Sequence, residues 1–132
     1  MPQVDIADDT WIAASRDRVA GAVADPANWR RWWPDLDLAV DELRGPLGVR
    51  WFVRPSAASP STGSMEVWLE ECRDGVLLHY FLRLALPERR GPFGRSVQRV
   101  ALGHRRRAKR IFWAVKDDLE GRIAAGRETQ RR

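Results

Sequence analysis

The last third of the chain is predicted to form one long amphipathic helix, and this feature restricts the fold more than any other. Apolar residues recur there with the 3.6-residue period of an α-helix, from about Gly94 to Gly126. The side predicted to be buried consists of Val97, Val100, Ala101, His104, Ala108, Ile111, Phe112, Val115, Leu119 and Ile123. The opposite side carries Arg99, Arg106, Lys109, Arg110 and Lys116. Because a long helix with a wide apolar stripe needs a broad surface to cover it, we expect it to pack on a β-sheet.

The residues before this helix supply the sheet. Alternating apolar and polar residues predict a first strand from Val4 to Ala14, and later strands around Leu36–Val40, Val49–Arg54, Met65–Glu70 and Val76–Leu86. Two short helices follow the first strand, one capped by Ser15 and one over Ala27–Trp33 after Asp25-Pro26. Residues 55–64 are predicted to be a flexible connection, and Asp74-Gly75 a hairpin turn. The order predicts a single α+β domain over residues 1–126, with a frayed basic tail over 127–132.

Composition excludes several classes of protein. The 132 residues suffice for one domain, and 44% hydrophobic with 31% charged residues is typical of a globular chain. No apolar run approaches the roughly 20 residues of a membrane span, and no signal pattern opens the chain, so we expect a cytoplasmic protein. Cys72 is the only cysteine, which excludes an intrachain disulfide. Metal-ligand spacings, phosphate loops and nucleophile elbows are absent, so we expect neither a metal nor another cofactor.

Two segments carry a resemblance to a known family. Residues 15–36 (SRDRVAGAVADPANWRRWWPDL) resemble the pair of small helices of the START-like helix-grip superfamily, in the branch of polyketide cyclases/dehydrases and lipid transport proteins. Residues 62–83 (TGSMEVWLEECRDGVLLHYFLR), followed by the basic helix with IFWAVKDDLE, resemble the actinobacterial members of that branch. Together these segments extend, with gaps, from residue 15 to residue 120.

The resemblance implies a helix-grip fold, in which a curved antiparallel sheet wraps around the long C-terminal helix. It also implies a cavity between sheet and helix that holds a lipid, a polyketide or another small hydrophobic ligand. The family usually has six or seven strands, whereas about five are found here, so the cavity is expected to be small, open at one side, or completed by a second copy of the chain in a homodimer. The family shares no catalytic residues, so membership does not decide whether the protein is an enzyme.

Residues from both layers are candidates to line this cavity. The alternation of the last strand favours the apolar set around Tyr80 for the interior, and the reversed register would place His79 and Arg83 there instead. The candidate ligand-binding residues are Trp32, Trp33, Trp51, Val53, Val67, Leu69, Leu78, Leu82, Ala108, Ile111 and Phe112. Trp32 or Trp33 is the candidate for a gate at the rim, because tryptophan suits both ligand contact and interfaces.

His104 and Tyr80 are the candidate catalytic pair. A histidine in an apolar groove can take a proton beside a carbonyl, and a tyrosine can hold the resulting enolate oxygen. A cofactor-free cyclase or dehydratase needs both roles, whereas ligand binding alone needs neither. The sequence leaves the two alternatives open, with binding requiring fewer coincidences.

The basic side of the helix supports a different class of function. Net charge is +5, and basic residues cluster after Arg83. The candidate nucleic-acid surface comprises Arg99, Arg106, Lys109, Arg110 and Trp113. Arginine and lysine neutralise phosphates and an exposed tryptophan stacks on bases, so the alternative function is association with RNA or the ribosome.

Overall fold

The computed structural model describes residues 3–87 and 96–131, with side chains up to residue 121. The elements are β1 (Gln3–Ile12), α1 (Arg16–Val23), α2 (Pro26–Trp32), β2 (Asp37–Leu43), a short 3₁₀ turn (Gly45–Leu47), β3 (Gly48–Arg54), β4 (Thr62–Cys72), β5 (Gly75–Ala85) and α3 (Val97–Arg131). The predicted α+β class and the order of strand, two short helices, four strands and long helix are confirmed.

The five strands form one antiparallel sheet in the order β1-β5-β4-β3-β2. β1, β3, β4 and β5 alternate between a face that is covered by the helices and a face toward solvent, whereas the edge strand β2 is half-buried at its start and exposed at its end. On β5, Tyr80 and its apolar neighbours are buried, whereas Phe81 and Arg83 lie on the outer face. The register with the apolar set inside is therefore the correct one.

The connection between β4 and β5 differs from the prediction by one residue. Cys72 pairs with Gly75, so the turn is Arg73-Asp74 and Gly75 already belongs to β5. Arg73 adopts a positive φ of 56°, a conformation that glycine adopts more easily. Gly75 is needed in the strand because a Cβ there would lie 2.3 Å from the carbonyl oxygen of Ile12. The Asp-Gly pair misled the prediction because its glycine serves packing rather than the turn.

The two short helices begin as their sequences predict. The Ser15 side chain accepts a hydrogen bond from the Arg18 amide at 3.3 Å, and the Asp25 side chain accepts one from Ala27 at 3.0 Å. Pro26 occupies the first turn of α2, which needs no amide donor there. The helix ends one residue earlier than predicted, so Trp33 is its C-cap.

The long helix α3 buries the predicted face. Ala108, Ile111, Phe112, Val115 and Leu119 are buried, and Val97, Val100 and Ala101 pack against the same core. The helical backbone continues to Arg131, through most of the segment predicted as a tail, and the side chain of Ile123 lies outside the described part. Similarly, β4 begins at Thr62, inside the segment predicted as a flexible connection.

Candidate functional site

Aromatic rings occupy the space between the sheet and α3. Trp33 stacks on Tyr80 with ring centroids 6.1 Å apart and planes 7° apart. Phe112 of α3 lies 5.3 Å from Tyr80 and 6.3 Å from Trp33, and Trp51 lies 5.8 Å from Trp33. We call Trp33, Trp51, Tyr80 and Phe112 the aromatic cluster. Its members are at most 2% exposed, so it fills the interior at the level where the ligand was expected.

The structure brings the predicted lining residues together. The members buried in one core are Trp33, Trp51, Val53, Val67, Leu69, Leu78, Tyr80, Leu82, Ala108, Ile111 and Phe112. Trp32 is half-buried at the edge of this core, with its ring 6.4 Å from that of Phe112. Of the two gate candidates, Trp32 therefore lies at the rim and Trp33 at the centre.

Two polar groups in the aromatic cluster lack a strong hydrogen-bond acceptor. The buried Nε1 of Trp51 has no partner among the described residues. The Tyr80 hydroxyl donates to the Sδ of Met65 at 3.5 Å, and a thioether sulfur is a weak acceptor. Burial raises the pKa of Tyr80, so its hydroxyl stays protonated near neutral pH. By contrast, the buried Nε1 of Trp29 donates to the Val23 carbonyl.

His104 lies at one end of the interior, beside a depression of about 280 Å³. The depression is lined by Asp35, Arg99, Val100, Gly103, His104, Arg107 and Arg110. Arg107 pairs with Asp35, which follows α2, and donates to Nδ1 of His104 at 3.3 Å. Burial lowers the pKa of His104, and the nearby Arg107 charge lowers it further. The imidazole is therefore neutral near pH 7 and its Nδ1 acts as an acceptor.

The hydrogen bonds described for His104 and Tyr80 do not join them. That of Tyr80 leads to Met65 and that of His104 to Arg107. The structure adds Asp35 and Arg107 to the site, and sequence analysis identified neither. Arg107 follows His104 by three positions, so it lies one helical turn away, and this spacing was the available signal.

A larger cleft of about 650 Å³ separates the two short helices from the second half of α3. Apolar side chains and charges of both signs line it, the former from Trp32, Val115 and Leu119 and the latter from Arg18, Asp25, Arg31 and Asp118. The depression beside His104 and this cleft thus open at different places along α3, with the aromatic cluster packed in the interior.

The outward side of α3 carries part of the surface that the sequence predicts, because Arg99 and Arg110 border the depression beside His104 instead. Trp113 is 52% and Leu102 is 45% exposed, and Arg106 is exposed near both. Lys109, however, pairs with Asp8 at 2.9 Å and donates to the carbonyl oxygen of Asp9 at 3.3 Å. Its charge is therefore partly neutralised by β1.

Further site types receive no support from the described part of the chain. No group of three or more His, Cys, Asp or Glu side chains within it could hold a metal ion. No helix among the described residues combines the length and apolar character needed to cross a membrane.

Comparisons with known proteins connect this geometry to a fold. Neither a family model nor a curated protein matches the sequence. Among solved structures, the Mll3558 protein from Rhizobium loti is similar with a TM-score of 0.66 at 17% identity, over 89% of this chain and 97% of that one. The Aha1 dimer from Colwellia psychrerythraea is similar with a TM-score of 0.58 at 15% identity, over 89% and 96%.

A third similar structure is the di-domain ARO/CYC StfQ from the steffimycin biosynthetic pathway. Its TM-score is 0.54 at 14% identity, over 92% of this chain and 52% of that one, so this chain spans about half of it. At such identities the likeness concerns the backbone. The chain has the α+β helix-grip fold, with a five-stranded antiparallel sheet around a long C-terminal helix.

Proposed function

We propose that the protein binds a small, largely apolar ligand that carries an oxygen, such as a lipid or a polyketide, between the sheet and α3. The observation that carries this proposal is the pair of buried donors in the aromatic cluster, the Trp51 indole N–H and the Tyr80 hydroxyl. A buried donor without a good acceptor costs free energy, and a ligand oxygen removes that cost.

Binding at this place requires Trp33 to move, because its ring contacts both Trp51 and Tyr80. Trp33 is the C-cap of the seven-residue helix α2 and precedes Pro34, so the movement that the proposal requires is a change at the end of this short element. The likeness to StfQ, an ARO/CYC from the steffimycin biosynthetic pathway, supports a polyketide as one ligand class. The same proposal places the protein in the cytoplasm. It also assigns the protein to the actinobacterial type of the polyketide cyclase/dehydrase and lipid transport branch.

Native mass spectrometry of the purified protein tests the proposal. We expect a noncovalent adduct whose mass, after denaturation, is that of a lipid or polyketide. The same spectrum reports the subunit number and so tests the homodimer, which exposed Phe52 and Phe81 on the outer sheet face support. A protein that stays free of adduct and takes up neither fatty acids nor aromatic polyketides would refute ligand binding.

Two tryptophan variants locate the ligand. Trp51→Phe removes the unpartnered N–H, so we expect the adduct to weaken, while the free energy of unfolding falls only by the packing lost with the smaller ring. Trp29→Phe is the matched control, because its N–H is already satisfied by Val23. We expect this control to lose about 1 kcal/mol more stability than Trp51→Phe, because it also loses the hydrogen bond to Val23, and to keep the ligand. The opposite pattern would show that the Trp51 N–H does not face the ligand.

A cyclase or dehydratase activity is a further step in the same proposal. Neutral His104 suits a base that takes a proton, and protonated Tyr80 suits a donor to an enolate oxygen. The hydrogen bonds of the two side chains lead to different neighbours, so catalysis would require a ligand that contacts both His104 and Tyr80. If the wild type binds the ligand without converting it, the protein is a ligand carrier and not an enzyme.

The outward side of α3 favours a second candidate, association with RNA or the ribosome. Trp113, Arg106 and Leu102 are exposed together there, and aromatic stacking beside phosphate neutralisation is typical of single-strand binding. Pairing of Lys109 with Asp8 reduces the charge available for phosphates, so we rank this function second.

A further inference from the structure

Positive charge is concentrated around the depression beside His104. Arg99, Arg107 and Arg110 line it from one flank of α3, and Asp35 is the one carboxylate among its lining residues. Arg107 is engaged by Asp35, whereas Arg99 and Arg110 form no side-chain ion pair with any residue that the structure describes. The depression therefore holds more cationic than anionic charge, and its guanidinium groups retain donors for an anion.

The depression also has room for a ligand group. Gly103 is one of its lining residues, and a Cβ built there would meet nothing within 4 Å. Val100 provides an apolar side chain beside it. The depression can therefore hold the small charged group of a ligand.

Asp35 connects this depression to the aromatic cluster. It follows Trp33 by two residues, and the amide of Leu36 donates to the Trp33 carbonyl at 3.2 Å. The Arg107–Asp35 pair thus links the segment that carries the Trp33 ring to α3. A group that takes the place of Asp35 on Arg107 would release that segment.

We propose that the ligand carries a carboxylate, which binds at Arg99, Arg107 and Arg110 and replaces Asp35 on Arg107. This inference rests on the proposed ligand binding and specifies the ligand's chemical class. A carboxylate is the class to expect because the group that occupies Arg107 in the absence of ligand is itself a carboxylate. The site then selects acids over neutral molecules of the same length. Once Asp35 has left Arg107, only an acid can neutralise the charge of the Arg107 guanidinium.

Dodecanoate and dodecanol, each titrated below its aggregation concentration, test the inference by isothermal titration calorimetry or tryptophan fluorescence. The two probes share one chain and differ in the charged group. We expect dodecanoate to bind at least about tenfold more tightly, because charge-assisted hydrogen bonds are absent for the alcohol. Equal affinities would overturn the inference while leaving the proposed function intact, and no binding of either would count against both.

Two variants assign the effect to the pair. Asp35→Asn removes the internal competitor and loosens the segment that carries Trp33, so we expect tighter binding of both probes, with the larger gain for dodecanoate. Asp8→Asn is the matched control, because Asp8 also pairs with a cation of α3, Lys109, but does not line the depression. Tighter binding by both variants, or by neither, would refute the role of Asp35.

A third variant fills the site. Gly103→Leu places a side chain in the open space, so we expect it to weaken dodecanoate binding while helix propensity stabilises the fold. Gly121→Leu is its control, a change in the same helix with equal open space and away from the depression. Unchanged affinity in Gly103→Leu would place the acid elsewhere.

Discussion

At the scale of single residues, the two histidines respond to pH in opposite directions. Partial burial alone would lower the pKa of His79, but hydrogen bonds and charges from Glu70 and Asp9 outweigh burial and raise it. Its Nδ1 lies 2.7 Å from Asp9 and its Nε2 lies 2.9 Å from Glu70. For His104, burial and the Arg107 charge both act to lower the pKa, against a smaller effect of Asp35.

These directions predict a maximum of stability near the unfolded histidine pKa of about 6.5. The contribution of protonated His79 is complete below that value and is lost as pH rises through its raised folded pKa. The contribution of neutral His104 is complete above that value and is lost as pH falls toward its lowered folded pKa. Chemical denaturation between about pH 5 and pH 8.5 should show both declines, each at most about 1 kcal/mol for such exposed or half-buried groups.

The variants separate the two histidines. We expect His79→Gln to remove the decline on the alkaline side and His104→Gln the decline on the acidic side. Because the chain has two histidines, each variant leaves the other as an internal control. A wild-type profile that is flat on both sides of pH 6.5 would contradict the assignment.

At the scale of elements, lysines from α3 cover the exposed edge of the sheet. β1 is an edge strand, and its Asp9 and Trp11 carbonyls accept hydrogen bonds from Lys109 and Lys116 at 3.3 Å and 2.8 Å. These carbonyls are two residues apart, as expected for groups that point away from the sheet at its edge. The helix thereby blocks strand addition at β1 and is fixed along it.

Lys116 is the stronger of these anchors. Its ammonium also pairs with Glu120 at 2.8 Å and lies 5.2 Å from the Trp11 ring centroid. Lys116→Met keeps the aliphatic stem and removes these contacts, so we expect a loss of about 1–2 kcal/mol in urea denaturation. Arg106→Met, an exposed position of the same helix, should change stability by less than about 0.5 kcal/mol. Equal losses in both variants would show that the anchor contributes little beyond its place in the helix.

At the scale of the whole molecule, periodicity predicted the architecture because each element obeys its own repeat. The buried face of α3 and the alternation of β5 follow directly from 3.6- and 2-residue patterns. The state of the interior could not be predicted this way. Whether Trp33 lines a cavity or fills it depends on rings from α2, the sheet and α3 meeting in space, and sequence order carries no such distance. The Asp35–Arg107 pair, 72 positions apart, was missed for the same reason.

The two candidate sites lie on different sides of α3, so variants on each side can distinguish the two functions. Arg107 and Arg110 border the depression, whereas Arg106 and Trp113 lie on the outward side. Because Arg110 borders the depression, charge reversal there would disturb both candidates. The informative pair of variants is therefore Arg106→Glu with Trp113→Ala on one side and Arg107→Met on the other.

We expect the two variants to act on different ligands. Arg106→Glu with Trp113→Ala should leave dodecanoate binding unchanged, because neither residue lines the depression, and should weaken any binding of single-stranded oligouridylate. Arg107→Met should weaken dodecanoate binding and leave oligouridylate binding unchanged. The salt dependence of oligouridylate binding provides a second readout, since each lost phosphate contact reduces the slope of log K against log salt by about 0.7. The contrary result is that Arg107→Met abolishes oligouridylate binding while Arg106→Glu with Trp113→Ala does not. That result would make the anion site beside His104 the nucleic-acid site and would refute carboxylate binding there.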